Sequence, residues 1–147
     1  MKNDKIKEVV VSIKALIVKY NKFLIVKDLN DNKWELPGGK VDFGEDPNDT
    51  LIREINEELN IKIKMGKFLG MCYLIAPDKS RQTVINVFHV IPDSYEIDLN
   101  NNPAEESLGE LKFVSKDEFV TNDYPVYHES LRTLIKNINI DELDDQY

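Results

Sequence analysis

The chain has 147 residues but only one cysteine, Cys72, so it cannot form an intramolecular disulfide bond. Proteins that depend on disulfides belong mainly to oxidising compartments, and this composition therefore favours a cytoplasmic location. Cys72 lies in an apolar run at residues 69–76. That position predicts a buried structural thiol rather than a nucleophile, because free cysteine is among the residues most often buried.

Long hydrophobic runs are also missing. The apolar N-terminal stretch at residues 9–18 is interrupted by Ser12 and Lys14, whereas a membrane-spanning helix needs about 20 consecutive apolar residues. We therefore expect neither a signal peptide nor a membrane span, and no membrane partner.

Basic residues are too few to balance the acids: 19 Lys and Arg face 27 Asp and Glu, for a net charge of −8. This charge argues against binding to a nucleic acid polymer, which needs a basic surface. It does not exclude a small phosphate compound, because a bound divalent cation can reverse the local charge. The length suits one domain, and we expect residues 1–147 to form it, since no repeat or linker divides the chain.

Hydrophobic periodicity predicts the secondary structure. Two segments separated by Tyr20 and Asn21 predict a hairpin, at residues 9–19 and 22–27. Further strands are predicted at residues 34–36, 67–76, 82–91 and 111–114. Helices are predicted at residues 47–59 and 115–119 and from Asp123 to about Ile138, and the acidic residues 141–147 predict a frayed tail. Strands framed by two long helices favour a layered α/β fold.

The first long helix has recognisable end signals. Asp46 can cap the free backbone N–H groups, and Pro47 is tolerated at the first helical position. Leu51 and Ile55 belong to an apolar stripe at helical spacing. Asn60 can end the helix in the left-handed conformation, where glycine is more common.

Three glutamates, Glu54, Glu57 and Glu58, share one face of this helix because they are three and four residues apart. Like charges at this spacing destabilise a helix by about 0.2–0.5 kcal/mol per pair. Anions near a helix C-terminus also oppose the helix dipole. Either this face binds a cation such as Mg²⁺, which prefers carboxylate oxygens, or it is an acidic surface exposed to water.

The spacing around these glutamates is specific. Residues 39–61 read Gly39, five residues, Glu45, seven residues, and then Arg53-Glu54-Ile55-Asn56-Glu57-Glu58-Leu59-Asn60-Ile61. This resembles the Nudix box of the MutT-type pyrophosphohydrolases, G-x5-E-x7-R-E-U-x-E-E-x-G-U, where U is a bulky aliphatic residue. Six of the seven fixed positions match. The exception is Asn60 in place of glycine, and we expect it to have little effect because asparagine also tolerates positive φ.

The resemblance implies an α/β/α sandwich, in which a mixed β-sheet lies between the box helix and a C-terminal helix. It also implies Mg²⁺-dependent hydrolysis of a pyrophosphate bond in a nucleoside diphosphate linked to a second group, with Mn²⁺ as a substitute ion. The alternative is a noncatalytic Nudix-fold module that binds a nucleotide or a partner. Degenerate box acids would indicate that module, and here every box acid is present.

The resemblance also assigns roles to residues. Glu57 and Glu58 are the implied metal ligands, with the Gly39 carbonyl nearby. Glu54 completes the metal site or acts as the general base, and the resemblance does not decide between these roles. Arg53 is expected to pair with Glu45 and to hold the preceding loop against the helix.

Candidate substrate contacts lie just before the box. The small residues Gly38 and Gly39 would let the backbone approach the metal and phosphates. Trp34 either stacks on a base or, as we favour, packs in the core.

Further acids and the two histidines complete the candidate residues. An additional catalytic acid from a loop is a second expectation, for which Glu105, Glu106 and Glu110 are candidates. His89 and His128 lack metal-ligand spacing, so structural roles are expected for both.

The substrate stays open between two main classes, namely ADP-ribose or another nucleotide sugar and a nucleoside triphosphate. Dinucleoside polyphosphates and other compounds are further alternatives. The ADP-ribose-cleaving subgroup of the family resembles this chain in carrying a proline near the position of Pro77. A Pro-Asp turn explains this proline equally well. A homodimer is compatible with the sequence, which does not determine the oligomeric state.

Overall fold

The computed structural model describes residues 7–97, 108–121 and 123–144. In chain order its strands are β1 (Glu8–Leu16), β2 (Val18–Lys19), β3 (Lys22–Asp28), β4 (Lys33–Glu35), β5 (Gly38–Lys40), β6 (Ile63–Ile75), β7 (Arg81–Pro92) and β8 (Leu108–Ser115). Its helices are α1 (Pro47–Leu59), α2 (Lys116–Val120), α3 (Ser130–Lys136) and α4 (Ile140–Asp144). Within these residues, no helix is both long and apolar enough to cross a membrane.

The strands form two four-stranded sheets. The first is mixed and has the order β5-β1-β7-β6, in which β1 runs parallel to β7 and the other pairs are antiparallel. In the second sheet, β8 pairs with β3 along its length. The short strands β2 and β4 pair with the two ends of β3.

Apolar side chains on the two faces of β1 enter two separate cores, because successive residues of a strand point to opposite faces. Ile13 and Ala15 pack in one cluster with Ile55 of α1. Leu16 packs in the other with Ile135 of α3. The mixed sheet therefore lies between α1 and the C-terminal helices, and the predicted α/β/α sandwich is confirmed.

Both ends of α1 follow their predicted signals. The Asp46 side chain accepts hydrogen bonds from the backbone N–H groups of Asn48 and Asp49, at 2.8 and 3.4 Å. At the other end Asn60 has φ 58° and ψ 38°, which is the left-handed conformation. Asparagine tolerates this conformation better than most residues other than glycine, so Asn60 can terminate the helix at the family's glycine position.

The predicted hairpin between residues 9–19 and 22–27 is correct only at its tip. There β2 pairs with β3 across Tyr20 and Asn21, whose positive φ values of 52° and 59° suit a tight hairpin turn. The longer strand β1 pairs with β5 and β7 instead. The inner half of β1 is buried on both faces, so it occupies the centre of a sheet, and the chain leaves that sheet at Ile17.

The second long helix begins later than predicted, at Ser130 rather than near Asp123. The segment before it runs beside β4, where the Trp34 backbone N–H donates to the Pro125 carbonyl at 2.8 Å. Proline cannot donate a helical hydrogen bond, and it disfavours the helical conformation in the preceding residue. The segment therefore remains extended.

The expectation of a frayed tail at residues 141–147 is wrong for residues 141–144, which belong to α4. Ile140 and Leu143 lie one turn apart and are buried in the same core cluster as α3. Burial of these two side chains explains why the acidic segment is held against the domain. Residues 145–147 lie outside the described part of the chain.

His89, which was expected to be structural, offers a test of the core through pH. Its side chain is 2 % exposed, and in the described structure its Nε2 has no hydrogen-bond partner. Burial lowers the pKa of His89 below its usual value. The unfolded chain therefore binds a proton at His89 more readily than the folded chain does, and this group reduces stability as pH falls below about 6.5.

We predict that His89→Phe flattens the acid side of the stability profile. The free energy of unfolding should be measured between pH 7.5 and 5.5. Below the histidine pKa, it should fall more steeply in the wild type than in the variant, by up to about 1.4 kcal/mol per pH unit. Denaturant unfolding at several pH values measures this difference. The carboxylates contribute equally to both proteins and cancel in the comparison. Parallel profiles would show that His89 does not titrate on unfolding.

Candidate active site

Helix α1 brings the predicted acidic residues to β5. Its buried side chains, which include Leu51, Ile55 and Leu59, fix the rotation of the helix against the mixed sheet. This rotation directs Glu58 to the backbone of Gly38, whose N–H donates to Glu58 Oε1 at 3.3 Å. The helical spacing places Glu54 one turn earlier on the same side, beside Gly39.

The two glycines of β5 have different close neighbours. Gly38 has φ 146°, and a Cβ atom there would lie 2.2 Å from the Ile13 carbonyl oxygen. A Cβ atom at Gly39 would lie 2.6 Å from Cδ of Glu54. The missing side chain at Gly38 therefore lets β5 lie close to β1, and the missing side chain at Gly39 leaves room for the Glu54 carboxylate beside the strand.

Arg53 connects the helix to the loop before it. Its Nε and one terminal nitrogen donate to the two carboxylate oxygens of Glu45, at 3.0 and 3.1 Å. The other terminal nitrogen donates to Glu57 at 3.1 Å and to Glu54 at 3.3 Å. The hydrogen bonds from Arg53 hold the pKa of Glu45 at about 2. The structure thus contains the predicted Glu45–Arg53 pair, in the bidentate geometry that favours arginine.

The two carboxylates closest to β5 carry negative charge that is costly to bury. Burial raises the pKa of Glu58 to about 7, and the nearby ammonium group of Lys14 opposes this shift. Burial raises the pKa of Glu54 as well, although Arg53 opposes it. An added positive charge beside these groups would favour their ionised forms.

The structure adds Lys14 and Glu35, which the sequence analysis missed as site residues. The Lys14 Nζ donates to Glu35 at 2.9 Å, and its side chain is 13 % exposed. Burial lowers the pKa of Lys14, but the carboxylates of Glu35 and Glu58 outweigh this effect and the net pKa is raised. A lysine that interrupts an apolar central strand was the available signal, because burying it requires a partner.

A small cleft, with a cavity volume of about 30 Å³, is lined by the Lys14–Glu35 ion pair and, on another side, by Leu131 of α3. Its walls include the rings of Tyr73 and His128, whose centres are 4.3 Å apart. The Tyr127 hydroxyl is fixed by hydrogen bonds to Asp28 and Asp31, at 3.1 and 2.8 Å. The complete lining consists of Lys14, Trp34, Glu35, Leu36, Cys72, Tyr73, Leu74, Ile85, Tyr127, His128 and Leu131.

The remaining predicted residues lie outside the box. Trp34 is 7 % exposed and packs edge-to-face on Tyr124 at 5.6 Å, as a core residue that also forms part of the cleft wall. Glu110 lies on β8 and pairs with Lys27 at 3.8 Å. Glu105 and Glu106 lie outside the described residues, so the position of an additional acid stays a prediction.

The box glutamates have the oxygen ligands that a hard divalent cation prefers, but in this structure their side chains contact other protein groups. In residues 7–97, 108–121 and 123–144, no group of three or more His, Cys, Asp and Glu side chains is arranged to hold a metal ion. Glu54 and Glu57 are turned toward Arg53, and Glu58 toward Gly38. Carboxylate and carbonyl oxygens are nevertheless the ligands that Mg²⁺ and Mn²⁺ prefer, and Glu54 and Glu58 bear poorly compensated negative charge.

Comparison with known proteins agrees with this geometry. The sequence profile of the NUDIX domain matches residues 9–134. The chain belongs to the Nudix family. The match extends from β1 into α3, and it therefore covers both the acidic helix and the cleft of this Nudix domain.

Two solved structures show the same fold along nearly the whole chain. A MutT NUDIX hydrolase from Burkholderia pseudomallei is 25 % identical, with a TM-score of 0.73, and the alignment covers 89 % of this chain and 98 % of that one. A MutT protein from Methanosarcina mazei Go1 is 22 % identical, with a TM-score of 0.77 and coverage of 96 % and 98 %. The second likeness is evidence for the fold alone.

Two further relatives are similar over shorter stretches. An RNA pyrophosphohydrolase from Ruthia magnifica is 44 % identical over 41 residues, which are 28 % of this chain and 23 % of that protein. An ADP-ribose pyrophosphatase from Methanocaldococcus jannaschii is 33 % identical over 85 residues, which are 55 % of this chain and 49 % of that protein. The similarity thus spans half or less of each relative's length.

We predict that Glu45 and Arg53 act as one unit in supporting the site. Arg53→Ala should lower kcat/KM strongly, and adding Glu45→Ala should then cost less than Glu45→Ala costs alone. The coupling energy from the double-mutant cycle should be about 0.5–3 kcal/mol, as for residues in direct contact. Glu142→Gln on α4 is the control partner, because it is exposed and distant in the fold, and its effect should add to that of Arg53→Ala. Strict additivity of the Glu45 and Arg53 effects would contradict the prediction.

Proposed function

We propose that this Nudix protein hydrolyses the pyrophosphate bond of a nucleoside diphosphate linked to a second group, with Mg²⁺ as its cofactor. The observation that supports this most is the meeting of Glu54 and Glu58 with the glycine backbone of β5. A noncatalytic binding module would have no need for closely packed carboxylates whose burial is costly.

The box residues divide into ligands and supports in this proposal. Glu57 and Glu58, with the Gly39 carbonyl, would hold the ion, and Glu54 would complete the metal site or act as the general base. Once bound, Mg²⁺ would neutralise phosphate charge and lower the pKa of a water molecule. Arg53 would keep the helix and its preceding loop together while Glu57 exchanges its contact with Arg53 for the ion.

The reaction adds water across one phosphorus–oxygen bond. A water oxygen attacks one phosphorus, the bond from that phosphorus to the bridging oxygen breaks, and two phosphate monoesters leave. Glu54 is the candidate acceptor for the proton lost by water, because burial raises its pKa toward the operating pH. Glu54 would then serve as the base, and Glu57 and Glu58 as the main ligands.

A nucleotide sugar is the substrate class that we put first. Two relatives of this chain are named as ADP-ribose pyrophosphatases, one of them only putatively. The RNA pyrophosphohydrolase is similar over only 41 residues. A chain with net charge −8 is poorly suited to binding an RNA polymer. We therefore expect the substrate to be a small nucleotide, and we expect the protein to act in the cytoplasm.

A hydrolysis panel tests the proposed activity. Purified protein with Mg²⁺ or Mn²⁺ is incubated with ADP-ribose, other nucleotide sugars, the nucleoside triphosphates and dinucleoside polyphosphates, and products are separated by chromatography. We predict that ADP-ribose or another nucleotide sugar gives a nucleoside monophosphate and a sugar phosphate. Glu58→Gln should reduce kcat by at least about 100-fold with the fold retained, whereas Glu142→Gln should not. Absence of turnover on the entire panel would refute the enzyme assignment.

Thermal denaturation tests the metal site without turnover. Mg²⁺ at 100 times its dissociation constant should stabilise the folded protein by about 2.7 kcal/mol, because it binds the folded state selectively. The double variant Glu57→Gln/Glu58→Gln should lose most of this response, and Glu142→Gln should keep it. If the double variant retains the full shift, Mg²⁺ binds elsewhere and the acidic face is only a surface.

A further inference from the structure

Helix α1 covers only one half of its face of the mixed sheet. Ile13 of β1 is buried against Ile55 of the helix. Val9 and Val11 point to the same face as Ile13, but they are 65 % and 45 % exposed. Because β1 pairs with β7, and β7 with β6, the uncovered half extends across three strands. Of the nine large apolar side chains that are exposed in the described residues, five form this apolar face: Val9, Val11, Phe68, Met71 and Ile75.

The neighbouring edge of β6 is occupied at Tyr73. The Ser130 hydroxyl donates to the Tyr73 carbonyl at 2.7 Å and accepts from the Tyr73 N–H at 2.9 Å. These are the backbone groups that an added strand would need. The Tyr73 ring also contacts His128 at this edge. A partner at this level would therefore stack on the apolar face rather than extend the sheet.

The size of the apolar face suits the centre of a protein interface. Three neighbouring strands, with about six residues along each, give a patch of roughly 15 by 20 Å. A polar rim of roughly 5 Å on every side enlarges the footprint to roughly 750 Å², close to the 800 Å² or so that each partner contributes to a standard interface. Isolated exposed apolar residues are common on monomers, whereas a contiguous patch of this size indicates association.

Helix α1 restricts how a second copy can fit. Stacked sheets lie about 10 Å apart, and a helix with its side chains is about 10–12 Å thick. The helix therefore forms a step beside the apolar face. A second sheet fits on the uncovered half if its own helix lies beyond the opposite end of the first sheet. A two-fold axis perpendicular to the strands gives this arrangement, and two-fold symmetry is the commonest in homo-oligomers.

The end of the apolar face that lies away from α1 is basic. There the turn between β6 and β7 borders an open groove of about 380 Å³, whose lining includes Lys7, Lys79 and Arg81. Arg81 pairs with Glu8, the acid in this lining, at 3.0 Å. The groove therefore keeps a net positive charge in a chain whose net charge is −8.

The end of the apolar face that meets α1 is acidic. The Val41 N–H donates to the Val11 carbonyl at 2.9 Å and so holds the loop before the helix beside this face. This loop and the first turn of α1 carry the exposed residues Asp42, Asp46 and Asp49. In the two-fold arrangement the basic groove of each copy lies against these acids of the other. Complementary charges at an interface rim determine orientation.

We propose that two copies of this chain associate face to face through the apolar face, about a two-fold axis that crosses the strands near Val84. Val84 lies on the middle strand β7, paired with Val11 of β1 on one side and with Tyr73 of β6 on the other. The proposal concerns assembly and holds whether or not the protein hydrolyses a nucleotide.

Sedimentation equilibrium tests the association. We expect the wild type to dimerise reversibly with increasing concentration. Met71→Lys should raise the dimer dissociation constant at least about 10-fold, because it replaces a buried apolar contact in each copy by a charge. The monomer should tolerate this change, since Met71 is 62 % exposed and lysine is common on edge strands. Ile75→Lys should act in the same way, so the test does not depend on one variant.

The matched control is Leu29→Lys, which adds the same charge at an exposed apolar residue outside the apolar face. It should leave the dissociation constant unchanged, and circular dichroism checks that all variants are folded. A wild type that remains monomeric would overturn the proposal, even if a different protein binds this face. A dimer that is equally stable in Met71→Lys and Ile75→Lys would overturn it as well.

Cross-linking tests the position of the axis. The native Cys72 is buried, at 4 % exposure, so an introduced cysteine is the accessible thiol. Because a residue near a two-fold axis faces its own copy, a short bis-maleimide should join two chains of Val84→Cys. Leu29→Cys should give no linked dimer under the same conditions. A wild-type dimer whose Val84→Cys variant is not linked would show that the copies associate through another surface.

Discussion

The close approach of α1 to the β5 backbone is the contact on which the rest of the site depends. Glu58 accepts a hydrogen bond from the Gly38 N–H, and Glu54 lies against Gly39, where a side chain would occupy the position of its carboxylate. Caps at Asp46 and Asn60 fix where α1 begins and ends, and its buried apolar stripe fixes its rotation. A change in any of these features would move the carboxylates together, since they are one rigid helical face.

Charge balance explains why this face is stable enough to exist without metal. The glutamates of the box would repel one another, but Arg53 donates to three acids at once and Lys14 lies behind Glu58. Neutralisation is incomplete, because burial still raises the pKa of Glu54 and Glu58. The folded protein therefore retains unfavourable negative charge at Glu54 and Glu58. The proposed cation would supply the missing positive charge and so stabilise the fold when it binds.

Local signals predicted the site helix well, whereas signals that depend on distant partners did not. Asp46, Pro47 and Asn60 act within a few residues of themselves, and the structure contains both predicted caps. The hairpin of β1 with β3 was wrong because the turn at Tyr20 is local but the choice of partner for β1 is not. Glu35 gave no signal as a site residue, since its contact with Lys14 joins positions 21 residues apart.

The elements that carry the box differ from those that form most of the cleft. The box lies on α1 and β5, while most of the cleft comes from β4, β6 and the segment that leads into α3. Tyr127 and His128 belong to that segment, which is held extended by its contacts with Trp34. Residues in this segment can therefore change without moving the carboxylates, because the box and the cleft lie on different elements. The two groups of elements meet only at one boundary. Lys14 of β1 lies at that boundary, because it pairs with Glu35 in the cleft wall and interacts electrostatically with Glu58 of α1.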